Sequence, residues 1–227
     1  MKALLYKEFK LAMHPICYVF LLAFPAMILI PNYPIGIGFI YLMSCYPILF
    51  LGANKGQQSN DLLFSTLMPV RKKDIVLARI ITVLSLQAAY MLLMAAWWPL
   101  AAFIQKTIAV ASEGEGPAIP GLGTDAFLSV LGIAIVGFAI ADLIFFPIYY
   151  KRGRSIVAST LLSILGFAVY LMTFTVILPL LFKGYYDFFS GSIWIQLAVF
   201  GSSVLLSFLL HFATYRISAK RLEKVDF

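Results

Sequence analysis

The sequence predicts an all-α integral membrane protein: six transmembrane helices behind a short N-terminal interfacial helix. Three observations predict it. Of 227 residues, 62% are hydrophobic and only 12% charged. That is half the roughly 25% charge of a soluble domain, so too few charges remain to clothe a water-facing surface. Charge-free stretches of membrane-crossing length recur along the chain, and the basic residues collect on alternate connections between them.

The first stretch, 11–54, is too long for one span, since about 20 residues cross the hydrocarbon core. Pro31-Asn32-Tyr33-Pro34 divides it, because closely spaced prolines make a turn and not a helix interior. The predicted spans are 14–31, 35–52, 75–104, 126–150, 155–182 and 188–215. Residues 1–13 form an amphipathic helix, with Leu4, Leu5, Phe9, Ala12 and Met13 on one stripe and Lys2, Lys7 and Lys10 placed to meet lipid phosphates. Residues 216–227 form a tail. Pro179, Gly184 and Gly191 let 176–194 turn back into the membrane, which leaves the outer ends of the last two spans open.

Lys2, Lys7 and Lys10 precede the first span; Lys55, Arg71, Lys72, Lys73 and Arg79 lie between the second and third. Lys151, Arg152 and Arg154 separate the fourth and fifth, and Arg216, Lys220, Arg221 and Lys224 follow the sixth. Of the 17 Lys and Arg, only Lys106 and Lys183 fall on the other side. This bias predicts both termini in the cytoplasm of a multi-pass plasma-membrane protein. The net charge of +7 is therefore a topology signal, and nucleic acid is not an expected partner. The far side carries Glu113, Glu115, Asp125 and Asp187, with a Gly- and Pro-rich loop over 112–124. No small-x-small cleavage site follows the first apolar run and a second span comes at once, so the N-terminus is expected to be retained.

Catalytic chemistry is not expected. His14 and His211 read as interfacial imidazoles, and Cys17 and Cys45 as small apolar packing residues. No His, Cys and carboxylate cluster has metal-ligand spacing, and no phosphate loop is present. No catalytic residue, metal or cofactor is expected. Asp142 is the one acid inside a span, roughly 13 Å along the helix from Lys151. Keeping a carboxylate there costs at least about 2.5 kcal/mol. It should therefore face the bundle interior, protonated or paired, in a structural role or as a proton or substrate site. Pro25, Pro47, Pro99, Pro147 and Pro179 place one proline in each of the first five spans, which suggests kinks. Gly137 and Ala141 offer a small-residue contact face. Tyr149-Tyr150 and Tyr185-Tyr186 suit aromatic belts at the two interfaces.

The connection between the second and third spans is the most informative segment. Ser59, Asn60 or Asp61 can cap a short helix, Leu63, Phe64 and Leu67 share its apolar face, and Pro69 stops it. Asp74 can cap the third span. Such a helix can lie on lipid or present its apolar face to a cytoplasmic partner.

The run from Asp61 through Leu67-Met68-Pro69-Val70-Arg71 to Ile75-Val76-Leu77-Ala78-Arg79 resembles a segment of ABC-2-type transporter permeases. Met68 and the Lys72-Lys73 pair are small departures from that family's pattern. Leu4-Leu5-Tyr6-Lys7-Glu8-Phe9-Lys10 also resembles the family's N-terminal helix. The resemblance implies a type V-like exporter bundle, two permease copies or paralogues, and separate cytoplasmic ATP-binding subunits that bind the ATP. It also implies that Asp61, Leu63, Phe64, Leu67, Pro69 and Arg71 contact the ATPase. A narrower similarity is to bacterial exporters of phenol-soluble modulins.

The expected function is therefore an export permease subunit, itself not an enzyme. Ser85, Gln87, Thr173 and Thr175 are among the few polar groups in the spans, while 20 Phe, 12 Tyr and 3 Trp are present. An apolar wall with interfacial aromatics suits a hydrophobic or amphipathic cargo, such as a short peptide, over a sugar or ion. The alternatives are a proton-coupled secondary transporter using Asp142 and a non-transporting membrane or immunity protein.

Overall fold

The computed structural model describes residues 2–12, 16–23, 25, 70–111, 126–152 and 156–224. The predicted second span, half of the first, Asp61, Leu63, Phe64, Leu67 and Pro69, His14, and the loop at 112–124 lie outside the described residues. Among the described residues the backbone is helical apart from short turns, and no strand occurs.

The elements are α1 (Lys2–Lys7), running into a π turn (Glu8–Ala12), α2 (Ile16–Ala23), α3 (Lys72–Ala111), α4 (Phe127–Arg152) and α5 (Ile156–Met172). A second π turn (Thr173–Ile177), α6 (Leu178–Leu181), α7 (Tyr185–Ser190) and α8 (Ile193–Glu223) follow. Three of them, α3, α4 and α8, are long and apolar enough to cross a membrane. Helical backbone also runs unbroken from Ile156 to Leu181. The π turn there lies just before Pro179, whose missing N–H breaks the ladder to Thr175 and favours a local change of winding. Gly184, at φ +82°, then reverses the chain into α7.

Two helices outrun their predicted spans. α3 begins at Lys72, so Asp74 sits inside its first turn, where an acid suits the helix dipole, instead of capping it. The Asp74 and Ile75 amides donate to the carbonyl of Arg71. α8 continues to Glu223, with Lys220 and Arg221 in its last turn, where cations suit the C-terminal end. Charge limits the apolar run in both cases, not the helix.

α4 is the central helix: 67% of its apolar stretch is buried, against 11% for α8. Its small residues let neighbours approach closely. A Cβ on Gly132 would meet Ser203 Oγ of α8 at 2.9 Å, and one on Gly137 would collide with the Phe167 ring of α5. Ser163 of α5 donates to the Ala141 carbonyl, so the expected Gly137–Ala141 face is the α5 contact. Tyr90 and Phe138 meet edge-on between α3 and α4. Tyr149 and Tyr150 are buried among Phe145 and Phe146 and belong to the bundle core, not to a lipid-interface belt. Burial and the neighbouring Tyr186 phenol push the Tyr185 hydroxyl up to about 12.

Candidate functional site

Asp142 of α4 is fully buried in the bundle interior. Its Oδ2 accepts a hydrogen bond from Gln87 Nε2 of α3 at 2.9 Å and lies 2.9 Å from His211 Nε2 of α8. Ser207 and His211, four residues apart, share one face of α8. His211 Nδ1 lies 2.7 Å from the Ser207 carbonyl and 3.2 Å from Ser207 Oγ.

A carbonyl oxygen cannot donate, so this geometry places a proton on His211 Nδ1. One further proton then serves the Nε2–Oδ2 contact. The pair is either neutral imidazole with carboxylic acid or imidazolium with carboxylate, and its net charge is zero in both forms. Three helices are thereby joined at one carboxyl group. His211 is not an interfacial imidazole: it is 7% exposed and faces the interior, because Asp142 needs a partner where water is absent. Ser85 and Thr173, by contrast, return their hydroxyls to carbonyls of their own helices.

A cavity of about 540 Å³ adjoins this cluster. Leu84, Met91, Leu131, Phe138, Phe200 and Val204 are among its apolar walls, and Gln87 and Ser207 are its polar lining residues. The volume falls within the roughly 300–1,000 Å³ of sites that hold small molecules.

A second network closes one end of the bundle. Arg79 of α3 grips Glu8 with both carboxylate oxygens engaged, at 2.9 and 3.1 Å, and approaches the Tyr149 hydroxyl at 3.4 Å. Lys7 is buried beside Glu8 at 3.8 Å and does not reach outward to lipid phosphates, whereas Lys10 is exposed and lies over the Tyr6 ring. Arg221 of α8 donates to the Pro147 carbonyl of α4, and Lys73 pairs with Glu223 on the surface. Arg71, the one described member of the predicted coupling segment, is exposed at the threshold of α3. The start of α3 is thus tied to α1, α4 and α8.

Of the predicted site residues, the structure brings Asp142 into a cluster. The partners Gln87, Ser207 and His211, and the Glu8–Arg79 pair, carry signals that sequence reasoning passed over. For Gln87 and His211 the signal is an amide or an imidazole embedded in an otherwise apolar run, a position that demands a partner; for Glu8 it is only a lone acid among lysines.

The family described as ABC-2 family transporter protein matches residues 3–223. No curated protein and no solved structure matches the chain.

Proposed function

The chain belongs to the ABC-2 transporter family and is a membrane permease component of an ABC transporter, and on that premise we propose that it is the subunit through which an ATP-driven exporter moves a hydrophobic or amphipathic substrate. The family match across nearly the whole chain carries this reading. Permeases of this family typically work with an ATP-binding subunit, so hydrolysis belongs to that partner. A second copy or a paralogue completes the pathway, and both termini face the cytoplasm of a bacterial cell.

The mechanical route runs through the start of α3. Leu63, Phe64 and Leu67 dock on the ATPase, and Arg71 leads directly from that segment into α3. Displacement there reaches the N-terminal segment through Glu8–Arg79, and α4 through the Arg79 contact with Tyr149. The apolar character of the cavity supports a cargo that partitions into lipid first, and a short amphipathic peptide leads the candidates.

The test is transport by the chain reconstituted with its ATPase in sealed vesicles. Export of an amphipathic helical peptide should require ATP and survive collapse of the proton gradient. Phe64→Ala should uncouple hydrolysis from transport or lower complex recovery, at a cost of about 2 kcal/mol or more for a buried aromatic anchor. The buried Asp142–His211 pair favours one second reading, a proton-coupled secondary transporter. Transport that follows the proton gradient, needs no ATP and vanishes in Asp142→Asn would establish it in place of the first.

A further inference from the structure

We infer that the cavity between α3, α4 and α8 is a binding site for a single-chain amphiphile with a neutral amide or hydroxyl head, seated with that head on Gln87 and Ser207. The site stands on this geometry alone; only its assignment to transported cargo rests on the function proposed above.

The argument begins with what the two polar lining residues have left to offer. Gln87 commits Nε2 to Asp142, which leaves its carbonyl Oε1 to accept a bond among the described residues. His211 Nδ1 already carries a proton and directs it at the Ser207 carbonyl and hydroxyl oxygen, so the Ser207 Oγ–H remains to donate. The lining thus presents one acceptor and one donor, on residues bonded to the two halves of the Asp142–His211 pair. A hydroxyl or amide can meet either, because each is donor and acceptor together.

Charge excludes other heads. Among the described residues the lining carries no Lys, Arg, Asp or Glu, and the adjoining Asp142–His211 pair has no net charge to offer. A carboxylate or quaternary ammonium would enter desolvated and unpaired, a penalty of several kcal/mol. The rest of the wall is Leu, Ile, Val, Ala, Met and Phe, which accept a hydrocarbon tail without directional demands. Size excludes a folded peptide: the volume suits one small molecule, or a side chain or two of a larger cargo. Gln87 is 93% removed from solvent, so its spare acceptor gains little from water and much from a ligand.

The experiment uses the full chain purified with its ATPase and a dodecyl monoacylglycerol bearing a diazirine on its tail. Two further probes carry the same tail under a carboxylate or a quaternary ammonium. Saturable labelling by the neutral probe should map to 84–95, 127–138 and 200–207. Ala88→Phe, which fills the cavity and spares both polar residues, should abolish it. Gln87→Leu, which keeps the volume, should weaken it about fivefold, as loss of one neutral hydrogen bond does. Retained ATPase association shows that each variant is folded. Labelling that ignores the head group, or that spreads evenly over outward residues such as Leu161 and Leu205, overturns the site. ATPase stimulation by the monoacylglycerol is read separately. Specific labelling without stimulation keeps this site and removes the small amphiphile from the cargo of the proposed exporter.

Discussion

Glu8 and Asp142 are both carboxyl groups shut away from solvent, yet they are held in different ways. Glu8 faces a guanidinium that never loses its charge, in a bidentate pair that fixes both partners. Asp142 faces an imidazole with which it divides a single proton, and an amide that accepts either form. α3 contributes to both, through Arg79 and Gln87, about 12 Å apart along its axis. The difference follows depth. Near the helix end, where head groups and water are close, the protein keeps permanent ions and even adds Lys7. Deep between α3, α4 and α8 it keeps a pair whose total charge is zero wherever the proton sits. The first pair is a clamp; the second joins three helices with no net charge in the membrane interior.

That contrast can be broken most sharply at the clamp. Arg79→Met leaves Glu8 buried without its fork, and should cost about 3–5 kcal/mol, seen as a large fall in the melting temperature of the detergent-solubilised protein. The double variant Glu8→Leu/Arg79→Met should recover most of that loss, because the unpaired ion is gone. A single variant as stable as the wild type would show that the pair does not secure α1 to α3.

At the deep site, His211→Leu should cost about 1–3 kcal/mol, since Asp142 keeps Gln87 but loses its proton partner. Asp142→Asn retains hydrogen-bonding capacity toward both neighbours, so its cost should be nearer about 1 kcal/mol, with ATP-dependent transport largely preserved. Equal destabilisation by Asn and by Leu at Asp142 would mean that charge, not hydrogen bonding, holds the three helices.

The smallest effect belongs to the surface. Lys73 and Glu223 have side chains 56% and 44% exposed, and Lys73→Ala should change stability by less than about 0.5 kcal/mol, an effect that salt screens further. A cost comparable to the buried pairs would show that this bond, too, secures α8 to α3.

Legibility in the sequence divides along the same line. α4 was visible because its apolar run stops at charges on both sides: predicted at 126–150, it lies at 127–152. α3 and α8 were read short because an apolar run measures the hydrocarbon core, while a helix carries on through Lys72, Asp74, Arg216 and Lys220. Asp142 announced itself as an acid where none is cheap. Its partner did not: His211 is 69 residues away on another helix, and pairing across helices has no local pattern. Glu8 was hidden differently, as one acid among three lysines that reads as interfacial charge, until packing turns it toward Arg79.

The spacing of the deep cluster also sets an order of events during synthesis. Gln87 leaves the ribosome 55 residues before Asp142, and His211 follows 69 residues after it. At about 5–20 residues per second, that second interval lasts roughly 3–14 s. For those seconds α4 carries its carboxyl group without the imidazole, at a membrane cost of about 2.5–3.5 kcal/mol when charged. Gln87 is then the first partner to hand, a chaperone within the chain that receives the acid until α8 arrives to complete the site.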